Sequence, residues 1–337
     1  MSVTIKDVAK RANVSIATVS RVLNNSNIVE EDTKKRVQEA VRELMYLPNN
    51  LGRSLSIKRT EAIGLILPDL FSEFFSEVIR GVDQTAQQNN YHLLVSSSHS
   101  NREEIKAAIQ MMRGRVDGLI IMSPHIDAVT LNQNLPKSLP IVLMNCIVDG
   151  DSFDSLNINN FDASFAITKH LIDHQHKHIA IIRGTQNNFD ADERFRGCQM
   201  AIQKYLSNEL IFLEIPGNFT EESGYEAVKT ILKFSPRPTA IFASNDSMAV
   251  GALSALQDYS ISVPNEMALV GFDDIPIAKY LSPSLTTVQV DIYSLGSLAI
   301  EQLFHAIKEK NEHQKQLSIL PYRLMLRESC GCKHPDI

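Results

Sequence analysis

The stretch Val14-Ser15-Ile16-Ala17-Thr18-Val19-Ser20-Arg21-Val22-Leu23-Asn24 decides how the chain is read. Val19, Val22 and Leu23 fall on one face of a helix, and Ser15 stands where a hydroxyl caps a helix N-terminus. Upstream, Ile5, Val8, Ala9 and Ala12 repeat at helical spacing, and Asn13 tolerates a left-handed turn between the two helices. Downstream, the acidic cluster Glu30-Glu31-Asp32 suits a helix N-terminus and precedes Val37, Ala40, Val41 and Leu44, with Pro48 as the expected stop. Two short helices joined by a tight turn and backed by a third form a helix-turn-helix.

In that motif the N-terminal residues of the second helix face base edges in the major groove. Here they are Ile16 and Ala17, with Arg21 one turn on. Arginine can donate two hydrogen bonds to guanine, whereas Ile16 and Ala17 offer only apolar contact, for instance to a thymine methyl. Thr18, Ser20 and Asn24 are candidates for phosphate contacts that set register.

Charge supports a divided chain. The 337 residues carry a net charge of -6, which taken whole argues against a nucleic-acid partner. Lys and Arg nevertheless outnumber acids in the first 60 residues, so the remainder is more acidic than the total suggests. That asymmetry fits a small polyanion-binding module on an acidic body. No apolar run is long enough for a membrane span and no signal-peptide core opens the chain, so a cytoplasmic location, nucleoid-associated when bound to DNA, is expected. Four cysteines in so long a chain do not make a disulfide framework.

Beyond Thr60 apolar runs alternate with helical segments: 62–67, 92–96, 116–122 and 140–145, then 178–183, 210–215, 240–244 and 268–272. Continuous apolar runs mean parallel strands covered on both faces, and two sets of four predict two doubly wound α/β subdomains. Ligands of such sheets bind beyond the carboxyl ends of the strands, so two facing subdomains create a cleft. Asp69, Ser123, Asn145, Asn245, Asp246, Asp273 and Asp274 follow strands, Arg194 lies beyond Arg183-Gly184, and Phe74, Phe75 and Phe219 can supply flat walls. Carboxylate and guanidinium forks suit a hydrogen-bond-rich small molecule.

Thr4-Ile5-Lys6-Asp7-Val8-Ala9, the quoted stretch Val14 to Asn24, Tyr46-Leu47-Pro48-Asn49 and Arg53-Ser54-Leu55 together resemble the headpiece of the LacI/GalR family of bacterial repressors. The likeness continues through Arg194-Phe195-Arg196-Gly197, Ser244 to Ala249, Val270-Gly271-Phe272-Asp273-Asp274 and Pro283 to Val288. It implies a headpiece over 1–48, a hinge helix or linker over 49–60, and a body of periplasmic-binding-protein type over 61–337. Subdomain one is then approximately 61–160 and 292–322, and subdomain two 161–291 and 323–332. Thr4, Ser15, Asn49, Arg53 and Leu55 join the DNA-contacting set, Leu55 as a minor-groove wedge.

The same resemblance makes Asp190, Arg194, Asn245 and Asp273 effector contacts and sets Phe219 where purine-type members stack an aromatic ring. Asn145 replaces the Asp of some sugar-responsive members, so the sugar class does not simply carry over, and the effector is expected to be sugar or purine-like. The implied protein is a homodimeric repressor of a palindromic operator, needing no cofactor. Dimer surfaces are expected on the helix after Pro68 (Phe74, Val78, Ile79, Val82) and on the stretch Glu104 to Met112. The alternatives are a solute-binding protein of transport, which would lack the basic headpiece, and a catabolite-control-type regulator. The latter takes a phosphoprotein corepressor and needs a basic patch such as Arg80, Arg102, Arg113 and Arg115.

His174-x-His176-x-His178, with His170 one turn earlier, reads as surface histidines, and Cys330-Gly331-Cys332 as a pair in a mobile tail lacking the further ligands of a zinc site. No GxSxG, HExxH, Walker or GxGxxG pattern points to catalysis. Gly52 stands where the family carries alanine, and glycine disfavours a helix by about 1 kcal/mol. Gly52→Ala should therefore raise operator affinity in a DNA titration; unchanged or weaker binding would contradict that reading of the hinge.

Overall fold

The computed structural model describes residues 3–23, 29–46, 59–125, 139–146, 153–205, 211–309 and 314–332. The chain forms two compact units, residues 1–60 and 61–337.

In the first unit, α1 (Ile5–Ala12), α2 (Ile16–Leu23) and α3 (Glu31–Glu43) form a three-helix cluster. The turn between α1 and α2 runs through Asn13 at φ 53°, and the Val14 amide donates to the Ala9 carbonyl at 3.0 Å. The Ser15 Oγ accepts from the Thr18 amide at 3.1 Å, capping α2. Val8, Ala9, Ala12, Val19, Val22, Val37, Ala40 and Tyr46 make the core. The Arg11–Glu43 ion pair, 58 % and 52 % exposed, adds little beside that burial. Proline is not what ends α3. Leu44 and the left-handed Met45 (φ 47°) turn the chain, and the Tyr46 amide returns to the Val41 carbonyl at 3.0 Å. Asn24, Pro48, Asn49, Gly52, Arg53 and Leu55 lie outside the described residues.

The second unit holds two sheets. One comprises β1 (Ala62–Leu67), β2 (His92–Ser97), β3 (Gly118–Met122), β4 (Ile141–Met144), β5 (Asp154–Ile158) and β11 (Leu317–Leu320), in the order β11-β5-β4-β3-β1-β2 and wholly parallel. The other comprises β6 (His178–Ile182), β7 (Ile211–Ile215), β8 (Ala240–Ala243), β9 (Ala268–Asp273), β10 (Thr286–Val290) and β12 (Tyr322–Met325), in the order β12-β10-β9-β8-β6-β7. The β10–β12 pair is antiparallel, a departure from the all-parallel expectation.

Each sheet thus gains two strands that apolar runs did not announce. β11 and β12 are partly exposed edge strands, and β10 reads Thr-Thr-Val-Gln-Val. Its buried threonines are tolerated because each is hydrogen-bonded, Thr287 to Asp246 Oδ1 at 2.6 Å and Thr286 to the Arg327 carbonyl at 3.1 Å.

Among the described residues, the helices of the first lobe are α4 (Glu73–Gln88), α5 (Arg102–Met112) and α10 (Ile292–Glu309). Those of the second are α6 (Asn160–Asp173), α7 (Phe189–Tyr205), α8 (Glu221–Ile231) and α9 (Asp246–Asp258). The apolar faces of α4 and α5 are used inside the lobe: Val78, Val82, Ile105, Ile109 and Met112 are buried. A dimer contact through these helices would use their outer faces, where Met111 of α5 is 64 % exposed.

Among the described residues the chain crosses between the sheets three times, at Asn159 between β5 and α6, Asp291 between β10 and α10, and Pro321 between β11 and β12. Each passage is one residue long. Asn159 and Asp291 also cap the helices they lead into, accepting from the amides of Asp162 at 3.2 Å and Ser294 at 2.9 Å. Among the described residues, no helix is long and apolar enough to cross a membrane.

Candidate functional site

On α2, Ile16 (45 % exposed), Ala17 and Arg21 stand on the surface, while Val19 and Val22 point into the cluster. Thr18 and Ser20 are half-buried, and the Thr18 hydroxyl shares a 2.8 Å hydrogen bond with Ser15 Oγ. Thr4 binds Asp7 through both its amide (2.8 Å) and its hydroxyl (2.7 Å), and the hydroxyl bond holds the Asp7 carboxyl below its usual range. The face open for contact is therefore apolar at its start and cationic one turn later.

The second unit has a cavity of about 300 Å³ between its two sheets. Its walls come from the segments beyond the carboxyl ends of strands, as parallel α/β topology requires. From the first lobe come Pro68, Asp69, Ser72, Phe74, Phe75 and His125; from the second come Asp190, Arg194, Phe219, Asn245 and Asp273. Phe74 and Phe75 pack edge to face, their centroids 5.4 Å apart. Phe219 is left-handed (φ 69°), and its ring fills the space a side chain at Gly184 would occupy. Glycine there is what allows the ring to lie against the end of β6.

Arg194 is the centre of the second-lobe wall. Its Nε donates to Asn160 Oδ1 at 2.8 Å, and its terminal nitrogens donate to the Ser244 carbonyl at 2.6 Å and Asp273 Oδ1 at 3.0 Å. The guanidinium lies over the Phe272 ring at 3.7 Å. Asn160 also donates to Asp190 Oδ1 at 2.7 Å, and Asn145 donates to Asp190 Oδ2 at 3.0 Å. The Arg194 and Asp273 side chains are only 4 % and 6 % exposed. Burial dominates both acids: it pushes Asp190 and Asp273 up to about 6 although Arg194 favours their charged forms. Asp273 sits at φ 109°, which most side chains avoid.

Four strand-end candidates do not reach the cavity wall. Ser123 is buried, its carbonyl accepting from Cys146 Sγ at 3.3 Å, and Asn145 stands behind Asp190 because its left-handed backbone (φ 48°) turns it there. Asp246 is also interior, accepting from Thr287 and from the Ile275 amide at 2.9 Å, and Asp274 pairs with Arg327 at 2.6 Å. Sequence reasoning missed Asn160, which holds Arg194 and Asp190 together, and Phe71, 89 % exposed at the cavity rim. It also missed the lobe-to-lobe contacts beside the cleft. The Phe189 amide donates to the Pro124 carbonyl at 2.9 Å, Asn188 pairs with His125 at 3.3 Å, and the Ile277 amide donates to Glu73 at 3.2 Å. An asparagine opening a helix reads as a cap, so only the fold reveals such roles.

Residues 4–49 match the family of bacterial regulatory proteins called the lacI family, and residues 168–330 match a periplasmic binding protein-like domain. The HTH-type transcriptional repressor PurR of Histophilus somni is 36 % identical over 330 residues, covering 97 % of this chain and 98 % of that protein. Catabolite control protein A of Priestia megaterium is 34 % identical over 333 residues, covering 98 % and 99 %. The lac repressor dimer, solved bound to operator and the anti-inducer ONPF, superposes with a TM-score of 0.84 at 27 % identity, covering 98 % of this chain and 99 % of that one.

Removing Arg194 leaves two buried acids without their cation. Arg194→Ala should destabilise the protein by about 3–5 kcal/mol, measured by denaturant unfolding. Because Asp190 and Asp273 are raised in the folded state, the stability they contribute is present at low pH and lost as pH rises through about 6. Asp190→Asn should therefore flatten the fall in ligand-free Tm between pH of about 4 and 6; a slope equal to wild type would contradict the linkage.

Proposed function

Because the chain belongs to the LacI family of bacterial regulatory proteins, we propose that it is a repressor that reads a palindromic operator as a homodimer while a small molecule in the cleft controls its affinity. The observation that carries this is the pairing, in one chain, of two features. One is a helix presenting Ile16, Ala17 and Arg21 outward; the other is a cleft built on the buried Arg194–Asp273 pair. The headpiece separates this protein from solute receptors of transport. It acts as a binding protein in the cytoplasm, not as an enzyme.

Ile16 and Ala17 meet apolar base edges, Arg21 donates to a guanine, and Thr4, Ser15, Thr18, Ser20 and Asn24 set register on phosphates. Asn49, Arg53 and Leu55 extend the contact to the operator centre, Leu55 as the wedge. In the cleft, Asp190, Arg194, Asn245 and Asp273 exchange hydrogen bonds with the effector, and Phe74, Phe75 and Phe219 hold its flat or apolar face. Ser123 and Asn145 act from behind that wall. A sugar or purine-like molecule meets these demands. Because coupling is reciprocal, an inducer binds the DNA-free form more tightly and a corepressor the DNA-bound form.

Selection of bound DNA from a random pool, with and without candidate sugars and purines, tests the reading. A palindromic site whose recovery changes with one ligand is expected; a non-palindromic or sequence-blind result refutes it. Arg21→Ala should cost ~1–3 kcal/mol on the selected site and relax the preference at one base pair per half-site.

A further inference from the structure

The fold brings together two signals that stand 160 residues apart in sequence. Cys330 ends a short 3₁₀ turn (Glu328–Cys330) after β12 and is buried, not in a free tail. Gly331 is left-handed (φ 74°) and curls the chain so that both thiols lie on one side: Cys330 Sγ is 3.0 Å from Cys332 Sγ. His170, in the last turn of α6, places Nε2 3.0 Å from Cys332 Sγ. All three donor atoms lie within 4.8 Å of one another. The other histidines of the run do not join them. His174 is tied through Nδ1 to the His170 carbonyl at 2.8 Å, and His176 to Thr239 Oγ1 at 3.0 Å.

We propose that His170, Cys330 and Cys332 form a Zn²⁺ site that clamps the C-terminal segment onto α6. Two sulfurs and an imidazole nitrogen are the donor set of a soft, tetrahedral cation. With Zn–S near 2.3 Å and Zn–N near 2.0–2.1 Å, tetrahedral donors stand roughly 3.5–3.8 Å apart. The contacts between neighbouring donors therefore need to open by less than about 1 Å for an ion to enter. Binding replaces the thiol–thiol and thiol–imidazole hydrogen bonds with metal bonds. Both thiols lose their protons to solvent as Zn²⁺ enters, so the two thiolates balance its charge. Cys332 and His170 are half-exposed, which gives the ion an entry path and leaves water to fill the fourth position. Oxygen-seeking cations such as Mg²⁺ and Ca²⁺ find no carboxylate in this group.

The test uses the full-length protein, fully reduced, stripped with EDTA and desalted. It is titrated with Zn²⁺ against a chromophoric chelator and with Co²⁺ by absorbance. The expected result is one ion per chain, with a thiolate-to-cobalt charge-transfer band. Cys332→Ser and His170→Gln avoid the buried Cys330. Each should weaken Zn²⁺ affinity by at least ~100-fold. Zn²⁺ should raise the Tm of the wild-type protein and leave that of either variant unmoved. No uptake by the reduced protein, or uptake that survives both substitutions, overturns the proposal.

Discussion

A guanidinium with almost no access to water is the constraint around which the second lobe is built. Arg194 reaches from α7 to the ends of β8 and β9 and to the first residue of α6, so four elements meet on one side chain. Desolvating such a cation is costly unless its donors are matched and its charge is opposed. Asp273, the Ser244 carbonyl, Asn160 and the Phe272 ring meet that requirement, and none is adjacent to Arg194 in sequence. The same fork borders the cleft beside Asp190, so the group that fixes the lobe is also part of the cavity wall.

How much of this could be read in advance depended on how local the cause was. The headpiece was legible because helix periodicity, an asparagine turn and a serine cap each act over a few residues. The central strands were legible because burial on both faces leaves continuous apolar runs. β10 was not, since its interior threonines are satisfied by Asp246 and by backbone far along the chain. The edge strands β11 and β12 lack the runs because they are partly exposed.

The cleft divides in the same way. Arg194, Asp273, Asn245 and Phe219 were reachable from strand ends and motif resemblance, whereas Asn160 looked like an ordinary helix opening. Ser123 and Asn145 also followed strands, yet side-chain direction at a strand end depends on backbone angles that residue type does not announce. Asn145, Phe219 and Asp273 all have positive φ, yet only Phe219 and Asp273 line the cavity. His170 and the Cys330–Cys332 pair show the same limit at its widest, since only tertiary structure closes 160 residues of separation.

The three single-residue passages between the sheets have a mechanical consequence. With Asn159, Asp291 and Pro321 side by side as the only covalent joints within the described second unit, neither lobe can slide far along the other. Pivoting about that triple seam is the soft coordinate, as in a caliper whose jaws share one pin. A molecule seated between the jaws is then gauged as an angle, and a small difference in its size at the pivot becomes a larger displacement at the far rim of each lobe.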